Sequence, residues 1–301
     1  MLTLKQLATF VTVVELGTLD RAAQRLGTSQ STVSKRLSEL EAATGLLLFD
    51  RSRRTGRLTE EGERLMELAA ETCSMADRIL ALSDHSTRST LRLRIGFTEL
   101  SALTWLPGFL HDYALERPNL RLEIVIDMSR PLHQQLQDGE LDLIVLPLET
   151  EMSFVGGTVA RPMGRVEMAF MARKGLVPQD TVMTFASLNK FVIIGQGKRS
   201  GLAQNLNRWL VQQGNSGVNH VVDSLLATVG LVTAGQGIAV LPQRLMEALV
   251  HSPPLDLIRV EKDLPDITYY CVHSRGARQN LLEELSVRLE KAVNFTNPFF
   301  Q

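Results

Sequence analysis

Gln30, Ser31, Ser34, Lys35 and Ser38 recur at i, i+4 spacing, which puts short hydrogen-bonding side chains and a cation along one helical face. Val33, Leu37 and Leu40 fall on the opposite face. An ordinary exposed helix carries long side chains of mixed charge. A helix that enters the major groove instead needs small polar groups near base edges and a few cations for phosphates. The chemistry expected of this segment is therefore DNA recognition.

The elements that must hold that face are legible on either side of it. Leu19, Ala22, Ala23 and Leu26 mark a short preceding helix, Gly27 is suited to end it, and Ser29 is a good cap for the helix that follows. Residues 3–16 carry apolar positions at Leu4, Leu7, Phe10, Val11 and Val14, an amphipathic stripe able to pack across the two-helix unit. After Gly45, the apolar run 46–49, a turn with Arg51, Arg53, Arg54 and Arg57 around Thr55-Gly56, and Leu58-Thr59 read as a hairpin wing. Its arginines suit phosphate or minor-groove contact.

The run AAQRLGTSQSTVSKRLSELEAATGLLLFDR and the later RLTEEGERL resemble the DNA-binding domain of LysR-type transcriptional regulators over residues 2 to about 65. That resemblance implies operator contacts from Ser29, Gln30, Ser31, Thr32, Ser34 and Lys35, with Arg51, Arg53 and Arg54 around the wing. The family often has proline where this chain has Ser31, which leaves helix initiation to Ser29. The expected partners are double-stranded DNA, a small-molecule effector, further copies of the chain (a dimer, with a tetramer implied by the resemblance) and RNA polymerase.

With 301 residues the chain exceeds one DNA-binding module. Its hydrophobic fraction of 44% and charged fraction of 22% are those of a globular protein, and no apolar run is long enough to cross a bilayer. The start lacks the pattern of an export signal, so a cytoplasmic location is expected. The formal net charge of −1 is compatible with a local basic surface at Lys35, Arg36 and residues 51–57. Cys73 and Cys271 are far apart in the chain, and the histidines show no ligand spacing, so neither a disulfide framework nor a metal site is expected. By the resemblance, an oxidant sensor would carry paired cysteines between 165 and 267, where this chain has none. No nucleophile–base pair or dinucleotide fingerprint marks an enzyme, and no cofactor is expected.

From Thr59 to about Ser83 the sequence reads as one helix, acidic in its first turn and without proline. Leu65, Leu68, Thr72, Met75, Ile79 and Leu82 repeat at spacings of three and four. Such a seam suits pairing with a second subunit, with Leu65, Leu68, Met75, Ile79 and Leu82 as its dimerisation residues. The domains expected are a winged helix-turn-helix over 1–58, a linker helix and hinge over 59–90, and an effector-binding region over 91–301.

The last region alternates strands and helices. Strands are expected near 91–97, 122–126, 141–146, 168–172, 191–194, 218–222, 238–241 and 267–273, and helices near 101–115, 202–213 and 225–234. By the resemblance it forms two α/β lobes like a periplasmic binding protein, lobe I over 91–163 and 268–301 and lobe II over 164–267. Ligands of such sheets sit beyond the carboxyl ends of strands. Those places hold Thr98, Glu99, Leu100 and Ser101, then Ser129 and Arg130, then Gln196, Lys198 and Ser200 in a glycine-rich run. Arg130, Lys198 and Arg199 favour an anionic effector and Glu99 opposes one, which leaves an organic anion as the candidate class. Asp142 reads as a turn-ordering residue, and the aromatic tail 295–300 as a segment docked on protein.

Overall fold

The computed structural model describes residues 2–50, 58–83, 91–148, 158–178, 181–244, 255–275 and 278–296. The N-terminal unit packs α1 (Leu4–Leu16), α2 (Leu19–Arg25) and α3 (Gln30–Thr44) around Phe10, Ala22, Val33 and Leu40, all fully buried. Each helix starts where a hydroxyl can replace the missing backbone acceptor. Thr3 and Gln6 form a reciprocal capping box on α1, Thr18 caps α2, and Ser29 caps α3 by accepting from the Thr32 amide at 3.2 Å. Phe49 and Leu58 pair as an antiparallel bridge, the base of the expected wing. The turn with Arg51, Arg53, Arg54 and Arg57 lies outside the described residues.

The connector, α4 (Glu60–Ser83), returns along α1 and buries Ala69 and Cys73 there. Gly62 lies in its first turn, where an added Cβ would collide with the Leu48 carbonyl, so only glycine lets the helix pass this close to the wing. Leu65 is half-buried against the N-terminal core of its own chain. Leu68, Met75 and Ile79 remain 52–61% exposed on another face. The side chain of Leu82 lies outside the described residues.

Beyond it stand two five-stranded sheets of matching design. The first orders β2 (Leu120–Ile126), β1 (Leu91–Phe97), β3 (Leu143–Pro147), β10 (Ile267–Ser274) and β4 (Thr158–Val166). The second orders β7 (His220–Val221), β6 (Ile193–Gly195), β8 (Ile238–Pro242), β5 (Met168–Arg173) and β9 (Leu255–Leu257). In each, the second strand of the order, β1 or β6, has parallel neighbours on both sides, reached in opposite directions, and antiparallel strands complete the sheet. The carboxyl ends of β1 and β6 are thus topological switch points. Because β4 stays in the first sheet through Val166, the chain crosses between lobes at Glu167, later than the expected border at 163. It returns before Ile267.

Among the described residues, the α-helices of these lobes are α5 (Glu99–Leu103), α6 (Leu106–Glu116), α7 (Ser129–Gln137), α8 (Gly201–Gln212), α9 (Leu225–Thr233) and α10 (Gln279–Ala292). The single helix expected over 101–115 is two, because Pro107 lacks an amide hydrogen and sits in the first turn of α6. Phe295 docks on the protein's own first lobe, its ring 4.5 Å from that of Tyr269 and 6.4 Å from that of Trp105. Asp142 orders the entry to β3 as expected. Its Oδ2 accepts from the Arg94 amide at 2.8 Å, and burial raises its pKa against the pull of Arg278 and Arg25.

Candidate functional site

Two surfaces gather the residues singled out in the sequence. On α3, Val33, Leu37 and Leu40 are buried, while Gln30, Ser31, Ser34, Lys35 and Ser38 are exposed. One helix side is fixed in the core and the other offers donors and acceptors to solvent. At its amino end Ser29 Oγ lies 2.9 Å from Ser31 Oγ and 2.8 Å from Thr32 Oγ1, a hydroxyl cluster with Thr32 half-buried. Lys35 is 77% exposed and 3.9 Å from Glu39, a loose pair that leaves its ammonium available to a phosphate. Arg36 donates to Thr9 on α1 at 3.4 Å, so part of its role is packing.

The second surface is a cavity of about 260 Å³ between the two sheets. It is smaller than most sites for drug-sized ligands, and suits a small metabolite. The switch points of both sheets open onto it. Thr98, Glu99, Leu100, Ser129, Gln196 and Ser200 line it, as their positions beyond strand ends predict. Ser101, Arg130 and Lys198 are not among its lining residues. Ser101 is completely buried, Lys198 is exposed, and the Arg130 amide donates to the Arg199 carbonyl across the cleft at 3.2 Å.

Glu99 binds the opposite lobe. Its carboxylate accepts from the amides of Leu225 (2.7 Å) and Leu226 (3.1 Å) and from the Ser224 hydroxyl (3.1 Å). Ser224 Oγ accepts from the Ala227 amide, and the Ser224 carbonyl from the Thr228 amide. The three amides of the first turn of α9, Leu225 to Ala227, are therefore satisfied, and the Thr228 amide begins the helical ladder. A second link joins Asp127, directly after β2, to Arg199 at 2.7 Å. The glycine-rich run lets its loop close, with the Gly197 amide donating to Asp223 at 2.9 Å.

Ile193, Leu206, Leu210, Val218 and Val240 are apolar parts of the lining, and Thr98 donates to the Tyr269 hydroxyl at 3.2 Å. Burial pushes the Tyr269 phenol up to about 12, so it is uncharged at physiological pH. Asp127 and Tyr269 were missed in the sequence. Asp127 carried the same signal as Ser129, a position just past a strand end, whereas Tyr269 lies on a return strand whose local pattern speaks only of burial.

Cys73 and Cys271 are both buried, in different domains, and burial raises the Cys271 thiol well above its ordinary range. Neither has the solvent access of a redox-sensing thiol. Among the described residues there is no group of side chains suited to a metal, and no helix is long and apolar enough to cross a membrane.

Residues 4–63 match the bacterial regulatory helix-turn-helix protein family of lysR type, and residues 86–291 match the LysR substrate binding domain. A probable HTH-type transcriptional regulator, LrrA of Synechococcus elongatus, is 26% identical over 261 residues, 85% of this chain and 87% of its own. The structure of ArgP from Mycobacterium tuberculosis superposes with a TM-score of 0.61 at 24% identity, covering 97% of each chain. A mutant of Corynebacterium glutamicum OxyR with bound hydrogen peroxide gives 0.57 at 25% identity over 96% of this chain and 94% of its own. The chain belongs to the LysR family: it is a DNA-binding transcriptional regulator with an effector-binding domain, and not an enzyme.

Proposed function

We propose that this regulator reads its operator with the exposed edge of α3, pairs with a second copy through α4, and senses an effector in the cavity between its lobes. The observation that carries the reading is the division of α3, with its apolar side fully committed to the core and a small, polar, cationic side left to solvent. Gln30, Ser31, Ser34 and Lys35 then face base edges and phosphates, Ser29 and Thr32 shape the helix start, and Arg51, Arg53 and Arg54 of the wing hold the backbone. The exposed line of Leu68, Met75 and Ile79 supports pairing of two copies, which would present two α3 helices to a two-fold symmetric site. Borders near 58 and 90 separate the DNA-binding, linker and effector regions. A tetramer, contact with RNA polymerase and a cytoplasmic location complete this reading.

Effector occupancy would act through the lobes. A ligand that shifts their closure moves the subunit surfaces they carry, and with them the spacing of the DNA-binding heads. The test is fluorescence anisotropy on a duplex selected from a random library by the full-length protein. Ser34→Ala/Lys35→Ala is expected to weaken binding by about tenfold or more, with oligomer mass by light scattering unchanged. Equal affinity would remove α3 from recognition.

A further inference from the structure

We propose that the interlobe cavity takes an uncharged, predominantly apolar small molecule with one hydrogen-bonding end, and that Glu99 sets this preference by occupying the helix terminus an anion would need. The inference rests on the reading that the effector binds in this cavity. Among the described residues, its charged lining comprises three carboxylates, Glu99, Asp127 and Asp223, and one guanidinium, Arg199. That guanidinium is already held by Asp127. The amides that open α9 are satisfied by Glu99 and Ser224, and the Arg130 amide at the start of α7 by the Arg199 carbonyl.

An entering carboxylate would find the α9 amides, the Arg130 amide and the Arg199 guanidinium already engaged, and would lie among three carboxylates against one guanidinium in a site of reduced dielectric. A cation fares little better, because each of the three carboxylates is already engaged: Glu99 by α9, Asp127 by Arg199, and Asp223 by the Gly197 amide. The remaining lining is neutral. Thr98, Ser129, Gln196 and Tyr269 bring hydroxyls and an amide to it, beside the apolar Leu206, Leu210 and Val218. This proposal departs from the anionic effector expected from Arg130, Lys198 and Arg199: the first two do not line the cavity, and the third lines it but is paired with Asp127.

Three probes that share a skeleton separate the charge states: 4-phenylbutanamide, 4-phenylbutanoate and 4-phenylbutylamine, titrated calorimetrically into the full-length protein. The amide is expected to bind about tenfold or more tightly than the carboxylate and more tightly than the amine. Glu99→Gln should narrow the amide–carboxylate gap by at least about threefold, since it removes one negative charge from the lining. Ala203→Trp, which fills the cavity from α8, should abolish amide binding, with Thr228→Trp from α9 as the second filling variant if the first loses its native circular dichroism.

A parent protein that binds the carboxylate as well as or better than the amide, or that binds none of the three, overturns the proposal. So does a gap that Glu99→Gln leaves unchanged. Amide binding that survives the filling variants places the ligand elsewhere and refutes the cavity reading itself. Carboxylate preference abolished by those same variants keeps the cavity and refutes only the charge assignment.

Discussion

The Glu99 carboxylate lies 2.7 Å from the backbone amide of Leu225, so a side chain from one lobe closes the end of a helix in the other. This contact and the Asp127–Arg199 pair hold the two sheets together across the cavity. A charged acceptor on a helix N-terminus is among the stronger polar contacts a protein makes. Glu99→Ala leaves the Leu225 and Leu226 amides without their partner. The expected cost is about 1–3 kcal/mol, read as a melting point lower by several degrees in scanning calorimetry. Glu99→Gln, which keeps one acceptor oxygen, should fall between the two. A melting point unmoved by Glu99→Ala would mean that the lobes are held elsewhere.

The exposed line on α4 predicts that Leu68→Asp and Ile79→Asp each lower the oligomer mass measured by light scattering, because each puts a charge into an apolar intersubunit seam. Leu65→Ala should act differently. Leu65 packs on the chain's own N-terminal core, so its loss should lower stability by about 2 kcal/mol and leave the mass unchanged. Full-sized oligomers from both aspartate variants would show that this face does not pair.

Gly62 makes a local test of how the linker meets the wing. A methyl group there collides with the Leu48 carbonyl, and a backbone atom cannot swing aside as a side-chain tip can. Gly62→Ala should therefore destabilise the N-terminal unit, although alanine favours a helix over glycine by about 1 kcal/mol. Urea denaturation followed by circular dichroism measures the sign. A stabilised variant would contradict the close approach.

Tyr269 predicts a loss of stability in alkali. Its folded pKa of about 12 exceeds the ordinary value of 10, so the folded state holds this proton more tightly than the unfolded chain. Its contribution is fully present below pH 10 and is lost as pH rises toward and through 12. The loss amounts to about 3 kcal/mol across that window. Comparing Tyr269→Phe with the parent by denaturation at several alkaline pH values isolates it: the variant should lose less stability over the window. Parallel profiles would show that the phenol titrates normally.

What the sequence made legible was local. The i, i+4 pattern of α3, its Ser29 cap and the Phe49–Leu58 wing base all follow from residues close along the chain. Strand ends located Thr98, Glu99, Ser129, Gln196 and Ser200 at the cavity for the same reason. The failures came from long-range pairing. Nothing near Glu99 shows that its partner is the start of α9, 126 positions away, and nothing near Arg199 shows that Asp127 neutralises it. Counting charges along the sequence therefore could not show that Arg199 is paired with Asp127 or that Glu99 is bound to α9. Leu65 fits a heptad seam equally well, and only the packing of α4 on α1 shows it half-buried on the chain's own core. Pro107 did carry a local signal, and it breaks the helix expected across it.

The claim that two copies of α3 read the operator is tested most directly by the base preferences of the full-length protein. Sequencing duplexes selected from a random library measures them, with the parent and Gln30→Ala run side by side. The parent is expected to enrich a two-fold symmetric sequence. Gln30→Ala should relax the preference at symmetry-related positions of both half-sites and leave the remaining positions intact, because an amide side chain on the exposed face specifies a base where a phosphate contact would not. A parent sequence without two-fold symmetry, or an identical motif from both proteins after every exposed α3 position has been changed in turn, would contradict it.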